Sequence, residues 1–106
     1  MNGMERLHYE LGGTRRPSAF SPVLVGVVAS GNLEVLIEPD DGEHCVFHVE
    51  TSARGFGAIW EAVIRDFHGR HRLAGAVVSI HDMGATPAVV NLRLEQAMAH
   101  LRGGRE

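Results

Sequence analysis

Residues 23–38 read V-L-V-G-V-V-A-S-G-N-L-E-V-L-I-E, two β-rich runs around the turn formers Ser30, Gly31 and Asn32. Three small residues between such runs predict a β-hairpin, closed by a left-handed conformation at Gly31 or Asn32. Residues 23–29 are apolar at successive positions, which suits a strand covered on both sides. Residues 33–38 make the second strand, and Pro39-Asp40-Asp41-Gly42 ends it with a turn signal. Working outward, residues 7–11 alternate apolar and polar before Gly12, Gly13, Pro17 and Pro22. An edge strand or arm followed by a loop accounts for them.

On the other side, Cys45, Phe47 and Val49 alternate with His44, Val46, His48 and Glu50, the pattern of a half-buried strand. Thr51-Ser52 can cap a helix whose Phe56, Ile59, Trp60, Val63, Ile64 and Phe67 form one apolar stripe. Glu61 and Arg65 stand four apart on its wet side, and His68-Gly69 is its expected end. Residues 74–82 read as an interior strand. Thr86-Pro87 then starts a second helix, with Val90, Leu94, Ala97, Met98 and Leu101 as its buried face and Gly103-Gly104 as its end. The expected architecture is α+β: one domain, a mainly antiparallel sheet of four to five strands, two helices packed on one face.

The whole chain has 106 residues, 44% of them hydrophobic, which is enough for one small core and no second domain. A net charge of −3 argues against a dedicated nucleic-acid binder. No apolar run approaches the ~20 residues of a membrane span, and residues 1–22 lack a signal-peptide core, so no membrane partner is expected and the expected location is cytoplasmic. One cysteine, Cys45, rules out an internal disulfide and fits a reducing compartment. All ten basic residues are Arg, and none falls between Arg16 and Arg54. That segment holds Glu34, Glu38, Asp40, Asp41, Glu43 and Glu50, read either as a solvated face or as a docking surface for a basic partner.

Little in the chain resembles catalytic machinery. His44 and His48 share a strand face but stand ~13 Å apart, too far to share an ion. His68 and His71 sit beside Arg70 and Arg72, whose charge opposes a cation, and His81 and Asp82 point to opposite faces of a strand. No metal site is expected. Cys45 reads as a buried thiol and Trp60 as core. There is no G-x-S-x-G elbow, no P-loop and no dinucleotide fingerprint, so no catalytic residue is assigned. What remains is Ser30, at a hairpin tip between Ala29 and Gly31, which are too small to hide its hydroxyl. Such a serine is open to covalent attachment of a large group.

Three blocks together resemble a known family: V25-G-V-V-A-S-G-N-L-E-V-L-I-E-P39, V49-E-T-S52, and I80-H-D-M-G-A-T-P-A-V-V-N-L-R-L-E-Q96. They are similar to the acyl carrier (delta) subunits of malonate decarboxylase, themselves akin to the gamma chain of citrate lyase. The similarity runs over residues 23–101, and Asn32 stands where Asp is expected and Ala29 where Gly is expected. The resemblance implies an acyl carrier domain over residues 23–106; the arm or edge strand over residues 1–22 lies outside it and rests on the alternation of residues 7–11 alone. It implies a non-catalytic carrier subunit in malonate catabolism. Ser30 would carry 2'-(5''-phosphoribosyl)-3'-dephospho-CoA, a phosphopantetheine-type group, through a phosphodiester, with Gly31 and Asn32 shaping the tip. The thiol of that arm would hold acetyl and malonyl as thioesters. The implied partners are an acyl-transferase subunit, the decarboxylase subunits and the prosthetic-group transferase. A citrate lyase gamma chain and a small non-carrier interaction module are the alternatives.

Overall fold

A two-residue period on the strands meets a 3.6-residue period on the helices, and together they bury one face of a single sheet. The computed structural model describes residues 3–103. Among the described residues five strands are formed: β1 (Glu5–Gly12), β2 (Val23–Gly26), β3 (Leu33–Pro39), β4 (His44–Thr51) and β5 (Ala76–Asp82). Helix α1 (Gly57–His71) joins β4 to β5, and α2 (Pro87–Gly103) follows β5. The sheet order is β1-β4-β5-β3-β2. Only β4 and β5 pair in parallel; the other neighbours are antiparallel. A parallel pair needs a long crossover, and α1 supplies it. The α+β class and the mostly antiparallel sheet agree with the sequence reading.

Rows of register partners build the buried face. Val23, Ile37, Val78, Phe47 and Tyr9 form one row, and Val25, Val35, Ile80, Val49 and Leu7 the next. Against them pack Trp60, Ile64 and Phe67 of α1 and Val90, Leu94, Ala97, Met98 and Leu101 of α2. The α2 set matches the spacing of the sequence. Its cap does too: the Val89 amide donates to the Thr86 hydroxyl oxygen at 3.3 Å. Phe47 and Phe67 meet edge to face with ring centres 6.1 Å apart.

Three expectations need correction. Residues 23–29 are not a doubly covered strand. β2 lies at the sheet edge and stops at Gly26, leaving Leu24, Val27 and Val28 exposed. Gly26 adopts φ 83°, where a Cβ would strike the Leu33 carbonyl, and Val27 N donates to that same oxygen at 3.1 Å. The chain thus leaves the sheet early.

Thr51 and Ser52 do not cap α1, which begins at Gly57 after Phe56 with no side-chain cap bond. Thr51 ends β4 and spends its hydroxyl elsewhere, as described below. Gly69 lies inside α1, which runs on to His71 and closes at a left-handed Arg72, φ 52°. Tertiary partners outweigh the ~1 kcal/mol that a mid-helix glycine costs. His68 Nε2 donates to the Leu73 carbonyl at 2.9 Å, and both His68 and His71 are buried.

A polar clamp ties the two helices. Glu95 of α2 accepts from Arg70 at 2.7 Å and from His71 at 3.0 Å, while Arg102 donates to His71 Nδ1 at 2.7 Å. Burial acts to raise the Glu95 pKa, but hydrogen bonds from Arg70 and His71 outweigh it and hold the carboxyl below its ordinary 4.5. A folded value below the unfolded one contributes stability above pH 4.5 that fades as pH falls through the folded value. The pair is over a third exposed, so solvent screening keeps the gain near the usual surface figure. Glu95→Gln is expected to lower stability by about 1 kcal/mol at pH 7. Urea denaturation followed down the pH scale should show the gap from the parent chain closing below pH 4.5.

Candidate functional site

The ends of β3, β4 and β5 meet at one end of the sheet, because Leu33 and Thr51 are both register partners of Asp82. Three loops therefore gather there: residues 27–32, 52–56 and 83–86. Ser30 stands on the first. The Asn32 amide donates to the Ala29 carbonyl at 2.9 Å, so residues 29–32 form a β-turn with Ser30 and Gly31 at its centre. Gly31 supplies the left-handed residue, φ 73°; Asn32 does not. This positive φ at the third turn position is that of a type II turn.

The tip is narrow but held. Gly31 N donates to the Met83 carbonyl at 2.7 Å, and Met83 N donates to the Asn32 carbonyl at 3.0 Å. The Asn32 side-chain oxygen accepts from Leu33 N at 2.8 Å and from Arg93 Nε at 3.1 Å. Ser30 itself is exposed, and its hydroxyl has no hydrogen-bond partner among the described residues. Apart from chain neighbours, no heavy atom lies within 4 Å of where a Gly31 side chain would begin. A free hydroxyl on an anchored, uncrowded turn fits attachment of a bulky group. Ser30, Gly31 and Asn32 are thus together, with Gly31 and Asn32 shaping the turn.

Behind the tip sits a carboxylate. Asp82, 2% exposed, accepts from the Thr51 hydroxyl at 2.8 Å, from Gly84 N at 3.1 Å and from Ala85 N at 3.0 Å. It fixes the 83–86 loop, and that loop fixes the tip through Met83. Sequence reasoning passed over Thr51, Asp82, Met83 and Arg93 in this role. The D-M-G run carried an Asx-turn signal for Asp82. Nothing local signalled Arg93, which stands 61 residues from Asn32.

The acidic segment is divided between two places. Asp40, Asp41 and Glu43 occupy the loop between β3 and β4, at the far end of β3, ~20 Å away by strand rise. Glu34 and Glu50 lie on the open sheet face flanking His81, at 3.7 Å and 3.8 Å. His44 and His48 are both exposed on that face; His48 meets His8 across the strands, Nδ1 to Nδ1 3.2 Å. No three His, Cys, Asp or Glu side chains gather as a metal set among the described residues. Cys45 is fully buried, and burial pushes its thiol up to about 12. Among the described residues no helix is long and apolar enough to cross a membrane.

Comparison with known proteins decides the family. Residues 21–101 match the model described as malonate decarboxylase delta subunit (MdcD). The chain belongs to this family. It is 64% identical over 99 residues to a malonate decarboxylase acyl carrier protein of Burkholderia cepacia, covering 93% of this chain and 92% of that one. The protein of that name from Xanthomonas euvesicatoria pv. vesicatoria is 55% identical, with 94% and 97% covered. Among solved structures, a chain of a Pseudomonas malonate decarboxylase hetero-tetramer in complex with malonate superposes with TM-score 0.83 at 35% identity, covering 92% of this chain and 98% of that one. At that identity and coverage the fold and the family agree.

Two outcomes follow from this geometry. Asp82→Ala leaves the Gly84 and Ala85 amides unpaired and takes from the Thr51 hydroxyl its 2.8 Å acceptor, and should destabilise the chain by about 3 kcal/mol. Hydrogen exchange should show the Gly31 amide losing protection more than core amides do. Cys45 should resist thiol reagents at pH 8 in the native chain and react at once in concentrated urea, because only the thiolate is nucleophilic and the folded thiol is held protonated.

Proposed function

We propose that this chain is the acyl carrier subunit of a malonate decarboxylase and that Ser30 is where its prosthetic arm is attached. The observation that carries the site is the anchored turn, which presents one free serine hydroxyl and little else. The group is 2'-(5''-phosphoribosyl)-3'-dephospho-CoA, joined through a phosphate to the serine oxygen, and it supplies a terminal thiol for holding acetyl and malonyl as thioesters. This chain's own residues make no bond in the substrate. Gly31 and Asn32 set the turn, Met83 and Arg93 brace it, and Asp82 holds the brace. A rigid base aims the arm, while tethering keeps the local thioester concentration high at successive active sites.

The partners this role requires are an acyl-transferase subunit, decarboxylase subunits and a transferase that installs the arm. Support comes from the hetero-tetramer of the Pseudomonas protein and from relatives named as acyl carriers. The chain purified from its own host is expected to show an intact-mass excess equal to the arm. Ser30→Ala should lose that excess and stay folded, since the Ser30 side chain supports no other residue. An unmodified native chain, with the installing enzyme present, would leave a non-carrier interaction module in its place.

A further inference from the structure

Five of the seven large exposed apolar side chains among the described residues cluster at the Ser30 end of the sheet: Val27, Val28, Phe56, Ile59 and Met83. Two of them rim a cleft of about 230 Å³. Phe56, Ile59, Trp60 and Val63 form one wall, and Ala85 and Pro87 face them. These α1 positions belong to the apolar stripe of the sequence, yet Phe56 is 47% and Ile59 45% exposed, so the stripe is wider than the core needs. Asp82 lies at the cleft wall with its carboxylate oxygens bound to Thr51, Gly84 and Ala85. The cleft therefore offers apolar surface and no cation.

The same loop joins the cleft to the tip. Ser30 is one residue from Gly31, which is hydrogen-bonded to Met83, and Met83 is two residues from Ala85. That path spans no more than about 17 Å. We propose that the cleft holds the thiol end of the Ser30 arm while it bears a neutral acetyl group and rejects it when the group is a carboxylate-bearing malonyl. This rests on Ser30 bearing the arm. The cleft is smaller than the ~300–1,000 Å³ pockets that enclose drug-sized ligands, so it suits the end of an arm and not the whole. A neutral acetyl loses little on leaving water. A carboxylate loses its hydration, finds no partner charge and approaches Asp82. The tether makes even weak intrinsic affinity sufficient. The resting acetyl form is then shielded, and the malonyl form is presented to partners.

Trp60 is the sole tryptophan and lines the cleft with the 6% of it that is exposed, so its residual solvent contact reports what fills the cleft. The intact chain would be prepared in acetyl and malonyl forms beside the unmodified Ser30→Ala chain, with intact mass reporting the arm in every sample. The acetyl form is expected to show blue-shifted Trp60 emission and reduced acrylamide quenching. The malonyl form should match the unmodified chain. Ile59→Asp, at a half-exposed position that does not threaten folding, should abolish the acetyl shift; Ala85→Leu, which fills the cleft, should do the same. Identical spectra from acetyl, malonyl and unmodified chains of verified mass would overturn the inference and leave the carrier reading standing. So would a Trp60 change produced by purified partner subunits and not by acetylation, since the cleft would then be a subunit interface. Absence of the mass excess would remove the carrier reading and this inference together.

Discussion

The buried carboxylate of Asp82 is the contact on which the Ser30 end of this molecule depends. Its oxygens join the last residue of β4 to the loop that follows β5, and through Met83 that loop grips the turn bearing Ser30. A carboxylate this buried persists only with its hydrogen bonds made. Here one hydroxyl and two amides satisfy it. The requirement runs in both directions: the sheet needs the loop to satisfy Asp82, and the tip needs the loop to stay put.

The parallel pairing of β4 with β5 brings this about. It places Thr51 beside Asp82 and, with β3 antiparallel on the other side, sets Leu33 against the same residue. Three strand ends and the starts of both helices share one rim. The tip gains a rigid base without a long loop of its own. If Ser30 bears the arm as proposed, the arm would supply reach and the protein would have only to supply direction.

Much of this was legible in the chain. The α2 cap at Thr86 and its five buried positions follow from spacing alone, as do the inward Cys45, Phe47 and Val49. Ser30, Gly31 and Asn32 announced a turn by their size and backbone preferences. The misreadings share a cause. Residues 23–29 were apolar enough for an interior strand, but neighbours decide coverage, and β2 has a partner on one side only. Gly69 looked like a helix end until the contacts of His68 and His71 held the last turn in place. Thr51-Ser52 looked like a cap because a hydroxyl before an apolar stripe commonly is one. Asp82, 31 residues away, took the hydroxyl instead.

The sequence by itself determined the elements, the class of fold and the residue that stands at the turn. Those properties depend on local backbone preference and on which side of each element is apolar. Tertiary structure alone decided that β5 lies between β3 and β4, that Arg93 and Met83 brace the tip, and that Phe56 and Ile59 border a cleft instead of filling the core. Each of these joins residues distant along the chain. No periodicity records such a pairing, because it arises only when the sheet register brings the partners face to face.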